Sequence, residues 1–368
     1  MKFLLVEPFY GGSHKNFADG LVAYSRHKIE LMGLPPRFWK WRMRGAALEF
    51  FRRLPDPRKF HGIIATNLMS AADLKALLGA QCPPMLVYFH ENQLTYPTAP
   101  GQPVDYHYGF TDITSALVAR RVLFNSHSHL CGFLAALPEF IGMMPDMRPN
   151  WAESRIRQKS GVCRPGCHFP GPGAYVPSAR QEPPLVIWNH RWEHDKNPGA
   201  FFDALYALAG RGIDFRAAIL GQSFTNRPLE FDAAAKRLPG QIVQFGYASP
   251  HTTYVDWLKR GTVVVSTALQ ENFGISVVEA ARYGCLPLLP ERLSYPEIIP
   301  RKFHETVLYR TEDELAGKLA DILLRPAAYE ADRKAIAAAM AEFSWQQRIM
   351  GFDAELEALA EAGPGNTG

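Results

Sequence analysis

Short aliphatic and β-branched runs, each closed by a polar or turn residue, alternate along the chain with stretches whose apolar positions fall at helical spacing. In the first half "KFLLVEP", "HGIIATN", "PMLVYFH" and "RRVLFNS" are such runs, and helical patterns such as "HKNFADGLVAYS" lie between them. Near-continuous apolar runs separated by helices are the mark of parallel strands buried on both faces, so the fold class is α/β. The alternation restarts with "PLVIWNH", "FRAAILG", "QIVQFGY", "GTVVVST" and "CLPLLP". Between the two series, residues 170–184 ("PGPGAYVPSARQEPP") are dense in Pro and Gly and poor in apolar side chains, the profile of an interdomain connection. The pattern therefore predicts two open α/β domains, 1–176 and 177–343. A terminal helix follows over 344–362, where "FSWQQRIMGFDAELEALAEA" carries helical spacing, and then a tail at 363–368 expected to fray.

The length, 368 residues, is enough for two domains each with its own core. Composition is that of an ordinary folded protein, 47% apolar and 21% charged, and it excludes a disordered or fibrous chain. Met1 and Lys2 precede only four apolar residues before Glu7 and Pro8, too few for a secretory signal or a membrane span, so a cytoplasmic protein without integral membrane association is expected. Cys82, Cys131, Cys163, Cys167 and Cys285 are odd in number and scattered, which favours reduced thiols. Cys163, Cys167 and His168 in "VCRPGCHF" have the chemistry of metal ligands, but a zinc site takes about four and no second cluster supplies the rest. No metal or other cofactor is expected.

Candidate chemistry sits in the turns after the strands. "EPFYGGSHKNF" follows the first strand: Gly11 and Gly12 let backbone approach a ligand, and Ser13 is placed to cap the next helix. The same pair also suits a plain tight turn. In "WNHRWEHDKNPGAF", Arg191 and Lys196 precede a helix that Asn197 is placed to cap and Pro198 to start, and both cations suit a diphosphate, Arg as a fork and Lys as a point charge. A solvated charged loop would carry the same residues. "VVVSTALQENFGISVVEAARYG" reads as strand, turn and helix, with the amides of Asn272, Phe273, Gly274 and Ile275 at an anion-friendly helix start. Carboxylates repel a diphosphate, so Glu271 and Glu279 are expected to accept from neutral hydroxyls, those of a sugar and of a ribose. The ligand implied is a nucleotide sugar. Glutamates that merely cap a helix are the bland alternative.

The E-x7-E spacing with "FGI" inside, preceded by "VVVST", resembles the retaining glycosyltransferases of family 4, whose fold is GT-B. "RWEHDKNP" resembles that family's diphosphate loop, "EPFYGGSHK" its N-terminal Gly loop, "FNSHSHLCGFL" its fourth-strand segment and "ARYGCLPLLPERLSYPEII" the segment after the second glutamate. "EPFYGGSH", "RFWKWRMRG", "YFHENQLTYP" and "LSYPEI" are similar to a narrower group, the glycosyltransferase-like proteins that include the tRNA-queuosine α-mannosyltransferases. The resemblance implies two Rossmann-like domains facing across a cleft, with the C-terminal helix crossing back. It implies that Arg191 and Lys196 hold the donor diphosphate, Glu279 the ribose and Glu271 the sugar hydroxyls, and that His90 lies near the reacting carbon. It also implies metal-free chemistry, in which the departing phosphate oxygen takes the acceptor's proton on the face it leaves. One departure is Gln270, where many relatives carry an acidic residue or histidine.

For the acceptor, residues 37–59 ("RFWKWRMRGAALEFFRRLPDPRK") hold eight Lys or Arg against two acids, a local excess larger than the net +4 of the whole chain. Arg37, Lys40, Arg42 and Arg44 interleave with Phe38, Trp39 and Trp41, a pattern suited to phosphates and unpaired bases of an RNA such as an anticodon loop. An amphipathic helix with its aromatics turned inward, or contact with anionic lipid, fits the same residues. The family implies mannose transfer from GDP-mannose to queuosine in tRNA, of the tRNA-Asp kind. A lipid or polysaccharide acceptor and a non-catalytic RNA-binding protein are the other readings. A catalytically dead form is expected to lack His90, Arg191, Lys196 or one of the glutamates, and all are present.

Overall fold

The computed structural model describes residues 1–97, 105–169, 181–222 and 227–361. It divides into two compact units: Met1–His168 together with the chain's end from Trp345, and Phe169–Ser344. Most of the expected connection at 170–184, the boundary after 176 and the tail at 363–368 lie outside the described residues.

The first unit is a six-stranded parallel sheet in the order β2-β1-β3-β4-β5-β6. Its strands are β1 (Lys2–Glu7), β2 (Lys28–Gly33), β3 (Gly62–Thr66), β4 (Met85–Phe89), β5 (Arg121–Phe124) and β6 (Ser160–Val162). Its helices are α1 (Gly12–Tyr24), α2 (Trp39–Arg53), α3 (Ala71–Leu78), α4 (Tyr106–Val118), α5 (His127–Gly142) and α6 (Trp151–Gln158). Alternate strand residues go to opposite cores, as the pleat requires. Leu4, Val6, Ile63, Ala65, Val87, Phe89 and Phe124 pack under α2 to α6. Phe3, Leu5, Ile64, Leu86, Tyr88 and Leu123 pack on the other side against Phe17 and Leu21 of α1 and against Trp345, Phe352, Leu356 and Leu359. Those four lie on the terminal helix Trp345–Glu361, so the last helix of the chain completes the core of the first unit. Gly20 makes this possible: a Cβ there would stand 2.0 Å from the Trp345 ring.

The second unit repeats the plan in the order β12-β11-β10-β7-β8-β9, again parallel throughout. Its strands are β7 (Leu185–Trp188), β8 (Arg216–Ile219), β9 (Ile242–Phe245), β10 (Val263–Val265), β11 (Leu286–Pro290) and β12 (Leu308–Tyr309). The helices that matter for the site are α7 (Pro198–Gly210), α8 (Glu230–Arg237), α9 (His251–Arg260) and α10 (Ile275–Arg282). In both sheets the polar residues gather just past the carboxyl ends of the strands, where open α/β sheets bind ligands. No helix among the described residues is long and apolar enough to cross a membrane.

Candidate active site

Two clusters form, one in each unit. In the first unit the ends of β1, β3, β4 and β5 bring Glu7, Thr66, His90 and Asn125 together. Glu7 is wholly buried, yet both carboxylate oxygens are satisfied. Oε1 accepts from the Phe9 amide at 2.8 Å and lies 3.0 Å from His14 Nδ1, while Oε2 accepts from the Thr66 hydroxyl at 2.8 Å. His90 Nε2 stands 4.0 Å from Glu7 Oε2, and the rings of His90 and His14 lie 4.1 Å apart. Phe17 and Tyr88 meet the His90 ring edge-on. The backbone around His90 is pinned on both sides: its amide donates to Asn67 Oδ1 at 2.9 Å, and its carbonyl accepts from Asn125 Nδ2 at 2.9 Å.

Burial, and after it the neighbouring His14 and His129, push the His90 imidazole well below its ordinary range, so the ring is neutral at physiological pH. The chain after His90 is fixed as well, since the Gln93 amide donates to the buried Asp112 carboxyl at 2.7 Å. Burial raises that carboxyl to about 8. Among the described residues, Glu7, His14 and His90 are the group whose donor atoms come close enough for a metal ion. The hydrogen bonds to Glu7 account for the arrangement without one.

The glycine loop corrects part of the expectation. Gly11 has extended backbone, and its missing side chain makes room for Pro36, whose Cβ would lie 2.4 Å from an added Cβ. Only Gly12, at φ +53° with open space before its Cα, has the character expected of a ligand loop. Ser13 does not cap α1, because the helix already begins at Gly12 and Gly11 takes the cap position.

In the second unit Lys196 is not a solvated loop cation. It is buried, its Nζ donating to the Gln270 carbonyl at 2.6 Å and lying 3.1 Å from Asp195 Oδ2 and 3.5 Å from Glu271 Oε2. Burial alone would strip its proton, but the Glu271 and Asp195 carboxylates outweigh that and raise the ammonium's pKa. For Glu271 burial pushes up, and Lys196 first, then His190, bring it below the usual carboxylate range. Both shifts agree on an ionised pair. The two loops are laced together further: the Leu269 amide donates to the Asp195 carbonyl at 2.8 Å, and the Thr267 hydroxyl bonds the carbonyls of Lys196 and Asn197. Arg191 stays half exposed beside Glu193, at 3.1 Å. Asn197 does not cap α7 with its side chain; it turns the chain in left-handed backbone at φ +48°, and Pro198 starts the helix as expected.

Glu271 also does what a capping carboxylate does. Its Oε1 accepts from the Gly274 amide at 3.1 Å, so this N–H, expected to face an anion, is turned onto Glu271 itself. Gly274 sits at φ +94°, a conformation side-chain-bearing residues rarely adopt, and opens α10 at Ile275. Phe273 is buried against Phe343, and Asn272 Oδ1 accepts from Gln270 Nε2 at 3.1 Å. Glu279, one turn into α10, is buried and accepts from the Tyr254 hydroxyl at 3.1 Å. Asn189 Nδ2 bridges that hydroxyl, at 3.0 Å, and the Ser276 carbonyl, at 2.7 Å. Burial lifts the Glu279 carboxyl to about 7, against the pull of Tyr254.

On α2 the sequence splits its residues cleanly. Met43, Ala46, Ala47 and Phe50 turn inward, and Trp39 packs on Tyr108 with ring centroids 5.2 Å apart. Phe38 and Trp41 do not follow: they are 68% and 77% exposed, beside exposed Arg37, Lys40 and Arg44. Arg42 is half-buried, its guanidinium 3.4 Å from the Pro35 carbonyl.

Residues 2–167 match the family described as the N-terminal region of tRNA-queuosine alpha-mannosyltransferase, and residues 176–341 match glycosyl transferases group 1. A tRNA-queuosine alpha-mannosyltransferase of Drosophila melanogaster is 36% identical over 341 residues, which cover 90% of this chain and 89% of that protein. The chain belongs to the tRNA-queuosine alpha-mannosyltransferase family. Like the family, it is a glycosyltransferase. Among solved structures, a sucrose-phosphate synthase from Thermosynechococcus elongatus aligns with TM-score 0.70 at 13% identity, over 99% of this chain and 100% of the other. Anabaena HepE in complex with UDP aligns with TM-score 0.66 at 14% identity, over 97% and 100%. At such identities these likenesses show the fold alone, and that fold is GT-B.

Side chains that the sequence reading passed over are Glu7, His14, Asn189, Asp195 and Tyr254. Glu7 and His14 stand inside the "EPFYGGSH" segment, where only the turn residues had been given a role.

Proposed function

We propose that this glycosyltransferase moves mannose from GDP-mannose, with retention, onto a hydroxyl of queuosine in a tRNA of the tRNA-Asp kind. The observation that carries the reading is the ionised pair of buried Lys196 and half-buried Glu271 just ahead of α10, kept intact in a family member with an intact His90. A buried ion pair adds little stability over apolar side chains of the same volume, so its presence at a sheet end suits a site that handles charge.

In this reading Lys196, Arg191 and the amides of Asn272, Phe273 and Ile275 meet the diphosphate, and Glu271, whose Oε1 holds the Gly274 amide, accepts from sugar hydroxyls. Glu279, steadied by Tyr254, accepts from ribose hydroxyls, and neutral His90 serves the reacting carbon or a sugar hydroxyl next to it. The phosphate oxygen that leaves takes the acceptor's proton, so neither glutamate acts as a nucleophile. Protein cations and peptide dipoles answer the leaving charge, and the reaction is expected to proceed unchanged in excess chelator. The exposed aromatic and basic face of α2 supplies stacking surfaces and phosphate contacts for the anticodon region. A tRNA acceptor suits the cytoplasm as the enzyme's compartment.

The test is transfer of radiolabelled sugar from a panel of GDP- and UDP-sugars to total tRNA purified with and without queuosine. Label from GDP-mannose entering only queuosine-containing tRNA is the expected result. A donor that is bound or hydrolysed while no label enters tRNA would leave the transferase and overturn the acceptor, which would then be sought among lipids and glycans.

A further inference from the structure

We propose that the segment Glu291–Ile298 ("ERLSYPEI"), which follows β11, is a clasp that aims the peptide N–H groups of the Glu271–Ile275 loop, with Ser294 and Tyr295 as positioning residues. The proposal rests on the reading of that loop as the donor site. Its basis is where the loop's carbonyl groups go. The Ser294 hydroxyl donates to the Phe273 carbonyl at 3.0 Å and lies 3.5 Å from that of Glu271. The Arg292 guanidinium donates to the carbonyl of Ala268 at 3.2 Å. The Tyr295 hydroxyl is 2.6 Å from Ser266 Oγ, which in turn accepts from the Ala268 amide at 3.3 Å. Tyr309 donates to the Ser266 carbonyl at 2.7 Å, and Lys196 takes the Gln270 carbonyl.

In a planar trans peptide the carbonyl of one residue and the N–H of the next point in opposite directions. Holding the Phe273 carbonyl on Ser294 therefore sends the Gly274 N–H the other way, where it meets the Glu271 carboxylate. The clasp itself is a built feature. Ser294 and Tyr295 are fully buried, and Leu293 between Arg292 and Ser294 is held at φ +59°, a left-handed conformation that leucine adopts only when its surroundings dictate it. A Cβ on Gly274 would meet the Tyr295 ring at 3.3 Å, so ring and turn are fitted to each other. The Gly274 amide so aimed fixes the Glu271 carboxylate, and an acceptor orients a sugar hydroxyl only when it is itself held beforehand. Side chains that hold the carbonyls on the far side supply that orientation without touching the ligand.

The experiment compares Ser294→Ala and Tyr295→Phe, each of which deletes a single hydroxyl, with Ser294→Thr, which restores one. Readouts are kcat and the tRNA KM for transfer from GDP-mannose to queuosine-containing tRNA, and the melting temperature of each variant. For Ser294→Ala, kcat is expected to fall about 10-fold, less than the roughly 100-fold or more for loss of an oriented donor itself, with the tRNA KM unchanged and most of the loss recovered by threonine. Tyr295→Phe is expected to fall in the same direction with its ring packing kept, and it carries the test should the alanine variant fail to fold. Wild-type kcat in the folded hydroxyl-deleted variants, with only their melting temperatures lowered, would overturn the clasp and leave the segment as scaffolding. Glu271→Gln separates this failure from that of the donor-site reading. If Glu271→Gln is inactive while Ser294→Ala is normal, the clasp alone fails; if Glu271→Gln also turns over normally, the donor site itself has been misread.

Discussion

Lys196 and Glu271 come from different turns of the second sheet, 75 residues apart in sequence, yet meet, the lysine buried and the glutamate half-buried, with Nζ and Oε2 3.5 Å from each other. Removing Lys196 leaves the Glu271 and Asp195 carboxylates without the cation they share, a loss of up to about 3–5 kcal/mol. Lys196→Ala should therefore lower both the melting temperature and donor affinity. The double variant Lys196→Met, Glu271→Gln, which still leaves Asp195 unpaired, should recover part of the stability and not activity. Thermal melts alongside GDP titrations check this, and a double variant no more stable than the single one would remove the pair from the account.

Glu279 gives donor binding a pH dependence with a definite sign. Its carboxyl is raised by burial to about 7, so it is largely protonated at pH 6 and ionised at pH 8. Ribose hydroxyls donate best to the ionised form, and GDP affinity is expected to strengthen between those two values. Glu279→Gln should flatten the profile. Tyr254→Phe removes the hydrogen bond that favours the charged form and should move the midpoint upward. Calorimetry across the range reads all three.

His90→Ala is expected to reduce turnover more than donor affinity, since neutral His90 is assigned to the reacting end of the sugar. Steady-state kinetics beside a GDP binding curve make the comparison, and preserved turnover would return His90 to a packing role.

The buried histidines predict a particular acid lability. Burial lowers His129 to about 3 and His190 to about 4, and both must be charged once the chain unfolds in mild acid. A depressed pKa contributes stability that is fully present above the ordinary value near 6.5 and is lost as pH falls through the folded values. Denaturant midpoints should drop steadily from pH 6.5 downward, and His129→Asn should make that drop shallower.

Trp41 stands out from α2 and is expected to matter to RNA alone. Trp41→Ala should leave the melting temperature unchanged while weakening tRNA binding by roughly 1–3 kcal/mol for one lost base stack. Replacing Arg42 and Arg44 should flatten the salt dependence by about 0.7–0.9 per lost phosphate contact. Arg42 is the less exposed of the two, so the larger change in slope is expected from Arg44.

Much of this was legible in the chain because the central strands are apolar on both faces. "KFLLVE", "GIIAT" and "MLVYF" announce themselves as β1, β3 and β4. The edge strands β2 and β6 and the two-residue β12 do not, because an edge needs less apolar cover and a short ladder leaves no periodicity. The E-x7-E loop and the diphosphate loop were visible as local patterns. The network of Glu7, His14, Thr66 and His90 was not, since it exists only once β1 lies beside β3 and β3 beside β4. Nor could spacing tell that Gly11 serves Pro36, or that the Gly274 amide turns back onto Glu271; both depend on packing from distant segments.

The terminal helix has a consequence for biosynthesis. Because Trp345, Phe352, Leu356 and Leu359 close the face of a sheet whose strands all precede Cys163, the first half of the chain leaves the ribosome with that face uncovered. Phe169–Ser344 is a continuous unit and can fold as it emerges, whereas the domain begun first is finished last. An early stop before Trp345 would therefore damage the half of the protein most remote in sequence from the lesion.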